Sequence, residues 1–307
     1  MAGLEFDASS KAYMPLLDLV EQCLQQDQGN RYRYELEQVI MEQKDIYQQK
    51  QIQFRSHMGA SLLGKKCKRD IWYSFRWVKE PNFDGRMIRL FNRGHLEETR
   101  FIAILRQAGM QVWFTHSDGS QFAFSNCRGH YGGSLDSVVK GVPGYENIPM
   151  LGEYKTHSDK SFSKLVQLGV KSSKPEHWTQ MNQYMGHYNL THGLYMAVNK
   201  NDDQLYAEII TFDEEVFKFD VNLANTISHT RKPPPKANNS PSFYLCKYCD
   251  FQDICHKKAP IKRTCRTCEH AVMEDGGAWS CSIQNNLILT KEMQYNGCGR
   301  YIKLEEL

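Results

Sequence analysis

Between Gly132 and His157 the chain reads GGSLDSVVKGVPGYENIPMLGEYKTH, and no other run limits the fold as tightly. Residues 133–140 and 149–156 are short, apolar-rich segments bounded by glycine and proline, the pattern of strands. Gly141, Pro143 and Gly144 supply the turn between them. Successive side chains of a strand point to opposite faces, so Glu153 and Lys155 project together. If the two strands pair, Asp136 joins them. Two carboxylates offer the hard oxygen donors that suit Mg²⁺ or Mn²⁺. A neighbouring lysine can position the attacking water and stabilise developing charge on a phosphate. Glu-x-Lys alone is common and usually marks an exposed strand face, so its surroundings decide its weight.

Those surroundings alternate helix and strand. Leu16, Leu17, Leu19, Val20 and Cys23 give residues 11–55 an apolar helical stripe, broken at Asp27-Gln28-Gly29-Asn30. Residues 61–78 read as a buried helix or a pair of helical turns, and 87–108 as a further helix. Strands of a meander are expected at 111–115, 121–124, 133–140 and 149–156. A helix at 175–190, strands at 193–199 and 204–212, and a helix at 213–229 follow. This order implies an α/β core with a mixed sheet. Residues 232–241, KPPPKANNSP, form a linker by composition. Three segments result: residues 1–60, helical; 61–258, the core; and 259–307, a cysteine-rich tail.

Charge and hydropathy exclude some classes. No run approaches the eighteen or so apolar residues of a membrane span, and MAGLEFDASSK lacks the layout of a secretory signal. A cytoplasmic protein with no membrane association is expected. The net charge is only +3, but residues 228–268 hold nine Lys/Arg against two Asp, and a second lysine-rich run spans Lys155 to Lys174. Basic patches near a catalytic site suit a polyanion; by themselves they read as solvated faces.

Two further motifs flank the Asp136–Lys155 region. Gln180-Met181-Asn182-Gln183-Tyr184 puts Gln180 and Tyr184 one helical turn apart, and Gly94-His95-Leu96-Glu97-Glu98 puts a histidine and two acids on an earlier helix. The ordered set of His, Asp, Glu-x-Lys and Gln-x-x-x-Tyr resembles the RecB-like branch of the PD-(D/E)XK nucleases. The resemblance implies a restriction-endonuclease-like core, with a mixed sheet flanked by helices. It makes His95, Asp136 and Glu153 the metal ligands, the Tyr154 carbonyl a further ligand, and Lys155 the catalytic lysine. Gln180 and Tyr184 would support substrate and site. In the lambda exonuclease-like branch a glutamate takes the place of the helix histidine, so Glu98 (or Glu97) ranks second to His95.

Ten cysteines in a chain of this character point to metal rather than disulfides. Cys246-x2-Cys249-x5-Cys255 has three thiols in a basic setting, and Cys67, in GKKCKRDIWY, could add a fourth. This arrangement resembles the iron–sulfur nucleases of the same branch, AddB-type subunits and CRISPR-adaptation exonucleases, and implies a [4Fe–4S] cluster on Cys67, Cys246, Cys249 and Cys255. Zinc held by Cys246, Cys249 and Cys255 with His256 is the other reading of the residues. Cys265-x2-Cys268-x12-Cys281-x16-Cys298 is a zinc pattern, with His270 spare, in a segment too small to hold a core without a metal. Cys23 and Cys127 remain as small buried residues.

No G-x-x-x-x-G-K-[ST] loop is present, so a stand-alone nuclease is expected. The reading is a Mg²⁺- or Mn²⁺-dependent DNA exonuclease of recombination, repair, phage or CRISPR processing. DNA is its partner, and an annealing or recombination protein or a second copy would be compatible. The competing class is a non-catalytic DNA-binding or scaffold protein on a nuclease-derived fold.

Overall fold

The computed structural model describes residues 11–43 and 54–307. Positions 1–10 and 44–53, where part of the expected N-terminal helical segment falls, lie outside the described residues. The chain divides into two compact units. One comprises Met1–Gln48, Phe83–Ala123 and Ser134–Glu214, and the other Gln49–Asn82, Phe124–Gly133 and Glu215–Leu307. This division differs from the three segments read along the sequence. The N-terminal helices share an apolar core with the sheet, because Leu16, Leu17 and Val20 bury with Phe101, Val139 and Met196.

The first unit is a mixed α/β layer structure. Helices α1 (Met14–Asp27), α2 (Asn30–Glu42) and α3 (Gly85–Gln107) precede strands β1 (Gln111–Trp113), β2 (Ser137–Lys140) and β3 (Met150–His157). Helices α4 (Asp159–Ser173) and α5 (Pro175–Tyr188) then lead to β4 (His192–Asn199) and β5 (Leu205–Thr211). The break between α1 and α2 falls where the sequence put it. The Asp27 carboxylate accepts from Arg31 N at 2.9 Å and Tyr32 N at 3.0 Å, capping α2. Asp84 caps α3 in the same way, accepting from Met87 N at 2.7 Å.

The five strands lie in sequence order, and every pair is antiparallel except β3 with β4. A parallel pair needs a long crossover, and α4 and α5 provide it. Tyr154, Leu194, Met196, Val198 and Ala207 point into the core shared with α1 and α3. The opposite face carries Glu153, Lys155 and His157, with Tyr195 in register with Glu153. There α5 brings Met181 and Met185 over Gly193, whose missing Cβ leaves room for them.

Three local expectations change. The 121–124 and 133–140 segments are not successive strands of a meander: Ala123–Asn126 and Tyr131–Ser134 belong to a separate three-stranded sheet with Met58–Gly59. Asp136 sits in the bend just before β2 rather than within a strand. The lysine-rich run after β3 is helix α4, burying Phe162, Leu165 and Val170.

The second unit is built around aromatic rings. Helix Lys68–Phe75 buries Ile71, Trp72, Tyr73 and Phe75, and the Trp72 indole donates to Thr230 O at 2.7 Å. Its later part holds an antiparallel three-stranded sheet of Ala271–Met273, Trp279–Cys281 and Leu287–Ile288. No described helix is long and apolar enough to cross a membrane.

Candidate active site and cysteine clusters

Pairing of β2 with β3 sets Ser137 opposite Gly152, which puts the Asp136 bend beside the Glu153-Tyr154-Lys155 run. The Asp136 carboxylate accepts from Tyr154 N at 3.0 Å. Lys155 Nζ lies 3.8 Å from Asp136 Oδ2, forms a close ion pair with Glu153, and donates to Tyr154 O at 3.1 Å. The carbonyl of Tyr154, expected as a ligand, is therefore engaged by the lysine. Its ring stacks on Phe101 at 5.3 Å, and its hydroxyl lies 2.6 Å from Ser137 Oγ. The strand carrying the acid and the lysine is thus fixed from the core side.

Electrostatics at the site follow from burial. Glu153 is fully buried, and neither of its oxygens has a hydrogen bond of ordinary geometry beyond the ion pair with Lys155. Burial first, then the Glu153 charge, pushes the Asp136 carboxyl well above the usual range, while Lys155 opposes the rise. Burial likewise raises Glu153 against the pull of Lys155. Burial disfavours the Lys155 ammonium, but Glu153 and Asp136 more than offset this and raise its pKa. A buried carboxylate and a part-buried one side by side, with the oxygens of Glu153 left over, match the donor chemistry of a hard divalent cation.

From α3, the Glu98 charge acts on Asp136, Glu153, Tyr154 and Lys155. His95 lies one turn earlier with its Nδ1 3.9 Å from Glu98 Oε1, and its side chain is the more exposed of the two. Glu97 is turned to a different partner, Arg100, at 2.9 Å. From α5, Gln180 Nε2 donates to the Tyr184 hydroxyl at 3.2 Å. Burial, followed by the Glu153 and Asp136 charges, raises the Tyr184 pKa.

A polar group beside Lys155 was not singled out from sequence. The Tyr195 hydroxyl lies 2.8 Å from His157 Nε2 and 2.9 Å from His177 Nδ1, and the two imidazoles stack at 5.8 Å. Burial, then Lys174, Lys155 and Lys200, lowers His157 to about 4. Burial, then Lys155, His157 and Lys174, lowers His177 to about 3. His157 is two residues beyond Lys155 on the same strand, so strand periodicity alone could have marked it. His177 and Tyr195 reach it only through tertiary packing.

In the second unit, Cys67, Cys246, Cys249 and Cys255 line a single pocket together with His256. The buried His256 Nε2 has no hydrogen-bond partner. Asp70 accepts from Lys65 at 2.8 Å and from the Cys249 thiol at 3.5 Å. Four thiols and a spare imidazole nitrogen are the soft donors that fit an iron–sulfur cluster or zinc. Cys265, Cys268, Cys281 and Cys298 line another cavity, with His270. Among the described residues no group of three or more His, Cys, Asp or Glu side chains is closed into a metal cage. Cys23 is part-buried and Cys127 buried, and both stand apart from these pockets.

No family model matches the chain, and no curated protein does. Among solved structures, it is similar to an alkaline exonuclease from Laribacter hongkongensis, with 14% identity and a TM-score of 0.38, covering 56% of this chain and 86% of that one. The same enzyme in complex with dAMP aligns with a TM-score of 0.36. A protein designated SSO0001 aligns at 15% identity and a TM-score of 0.36, over 73% of this chain and 95% of that one.

Proposed function

We propose that the chain is a metal-dependent PD-(D/E)XK deoxyribonuclease that hydrolyses phosphodiester bonds of DNA, as an exonuclease. The observation that carries the reading is the convergence of part-buried Asp136 and Lys155 on the fully buried Glu153, with Glu98 and Tyr184 in their field. Strand periodicity and pairing bring the three together, and set a part-buried carboxylate beside a fully buried one. Burial of like charges costs stability unless something neutralises them, and a bound Mg²⁺ or Mn²⁺ would.

Asp136 and Glu153 would hold the cation, with Glu98 or His95 completing the set from α3. When bound, it supplies charge neutralisation and polarisation of the scissile phosphate. Lys155, held between the acids, carries the positive charge that orients the nucleophilic water and stabilises the phosphate as charge accumulates. Gln180 fixes the Tyr184 hydroxyl toward the same point. The Tyr154 amide holds Asp136, so the acid is oriented before substrate arrives. In the second unit, Cys67, Cys246, Cys249 and Cys255 would hold a [4Fe–4S] cluster, a tie between chain segments remote in sequence.

The test is cleavage of linear DNA with Mn²⁺, with and without EDTA, by the wild type and by Asp136→Ala and Lys155→Ala. Both variants should lose cleavage while retaining their circular dichroism and DNA affinity. Undiminished Mn²⁺-dependent cleavage by both purified variants would refute the assignment. A wild type that binds DNA but never cleaves it would favour the non-catalytic scaffold instead.

A further inference from the structure

Four cysteines that the nuclease reading leaves unused surround one cavity in the second unit, of about 420 Å³. They come from three separate stretches of chain. Cys265 and Cys268 bracket a single tight turn, closed by Cys268 N donating to Cys265 O at 2.9 Å. Thr264 and Thr267 brace that turn reciprocally, each side chain capping the other's backbone. Cys281 ends the Trp279–Cys281 strand and opens a second turn, closed by Gln284 N to Cys281 O at 3.1 Å. Cys298 follows helix Lys291–Asn296 by way of Gly297, whose φ of 63° is open to glycine at little cost.

We propose that Cys265, Cys268, Cys281 and Cys298 bind one zinc ion as a four-thiolate structural site. Two tight turns carrying three thiols, and a fourth thiol beyond a helix, line one cavity and supply the four soft donors of a tetrahedral zinc site, whose Zn–S bonds are about 2.3 Å. The strands around the site have three, three and two residues, too short to hold the turns by ladder bonds alone. The thiols ring the cavity without converging on a point, and the ion would draw them inward by side-chain rotation.

A second observation gives the site a purpose. Arg266, between the first two cysteines, is 1% exposed. Its guanidinium lies 4.0 Å from the Trp77 ring and donates to Ser56 O at 2.7 Å, Phe75 O at 3.2 Å and Gln294 Oε1 at 2.9 Å. The turn that would grip the metal therefore also aims the side chain that ties the tail to residues 56–77. Zinc at this point locks an internal joint of the unit and leaves no vacant position for chemistry. The proposal does not depend on DNA cleavage.

The experiment uses the full chain, purified under reducing conditions, with zinc quantified by plasma mass spectrometry and each thiol followed by site-resolved alkylation. Cys298 is exposed, so unprotected it should react readily. The expected result is bound zinc, with alkylation of Cys265 and Cys298 at least ten-fold faster once a strong chelator removes the metal. Cys281→Ser and Cys298→Ser should each lose one zinc equivalent, and Cys127→Ser should lose none. Equal alkylation with and without chelator overturns the proposal, as does iron in place of zinc at these thiols. Retention of zinc by Cys298→Ser with its loss from His270→Ala overturns the four-thiolate set.

Discussion

The two histidines that share the Tyr195 hydroxyl should make the first unit sensitive to acid. Exposed histidine titrates near 6.5, whereas burial and the surrounding lysines hold His157 at about 4 and His177 at about 3. As pH falls, the unfolded chain takes up protons first. The stability these groups contribute is complete above about pH 6.5 and is lost as pH falls toward the folded values. At 1.36 kcal/mol per pKa unit, each should remove about 2 kcal/mol between about pH 7.5 and pH 5. With both imidazoles contributing, the joint loss should reach about 3–4 kcal/mol. Asp136 and Glu153 work in the opposite direction, because their raised pKa values favour proton uptake by the folded state. The comparison is therefore between the wild type and a His157→Gln/His177→Gln double variant, which cancels the carboxylate contribution. Amide hydrogen exchange of peptides from β3 and β4, measured at both pH values, reads this unit without interference from the other. The wild type should lose about 3–4 kcal/mol more opening free energy than the double variant. Equal losses would mean that the imidazoles are not held neutral by their surroundings, and the account of this pocket would fail.

Three other outcomes are expected. Phe101→Ala, which removes a ring 1% exposed and stacked on Tyr154, should cost about 3–5 kcal/mol in urea unfolding and reduce cleavage by loosening the strand between Glu153 and Lys155. Glu98→Gln should weaken the apparent Mn²⁺ affinity in cleavage assays by about ten-fold or more, and His95→Gln by less, since Glu98 is the helix acid felt at Asp136 and Glu153; the reverse order would restore the histidine to first place. Arg266→Met leaves the Ser56 and Phe75 carbonyls without their donor, at about 1–3 kcal/mol each, and limited proteolysis should show earlier cutting in residues 54–78 than in the wild type.

What the sequence disclosed was mostly local periodicity. Glu153 and Lys155 share a face because strands alternate, and the helix break at Asp27–Asn30 was legible from its polar, glycine-containing run. Helix α4 escaped notice because its lysines dominate the run and because Gly169, at φ 70°, interrupts the apolar spacing. The separate sheet containing Ala123–Asn126 escaped because short strands look alike locally, and partner choice depends on burial elsewhere in the chain. At the candidate site the spacing of Asp136, Glu153 and Lys155 was legible, whereas the order of Glu98 and His95 was not, since that depends on which side of α3 meets β3. The gathering of Cys67 with Cys246, Cys249 and Cys255 followed from resemblance, and the structure lines them around one pocket.

The interleaving of the two units has a consequence for biosynthesis. The second unit draws on residues near 60, near 130 and beyond 214, so its earliest segment must wait, incomplete, while the rest of the first unit is made. Cys67 leaves the ribosome long before Cys246, and Trp77 long before the Arg266 that covers it. Any ion or cluster held by these thiols can only be delivered late. A translation stall after residue 214 should leave a finished sheet layer attached to an exposed aromatic segment that chaperones can recognise.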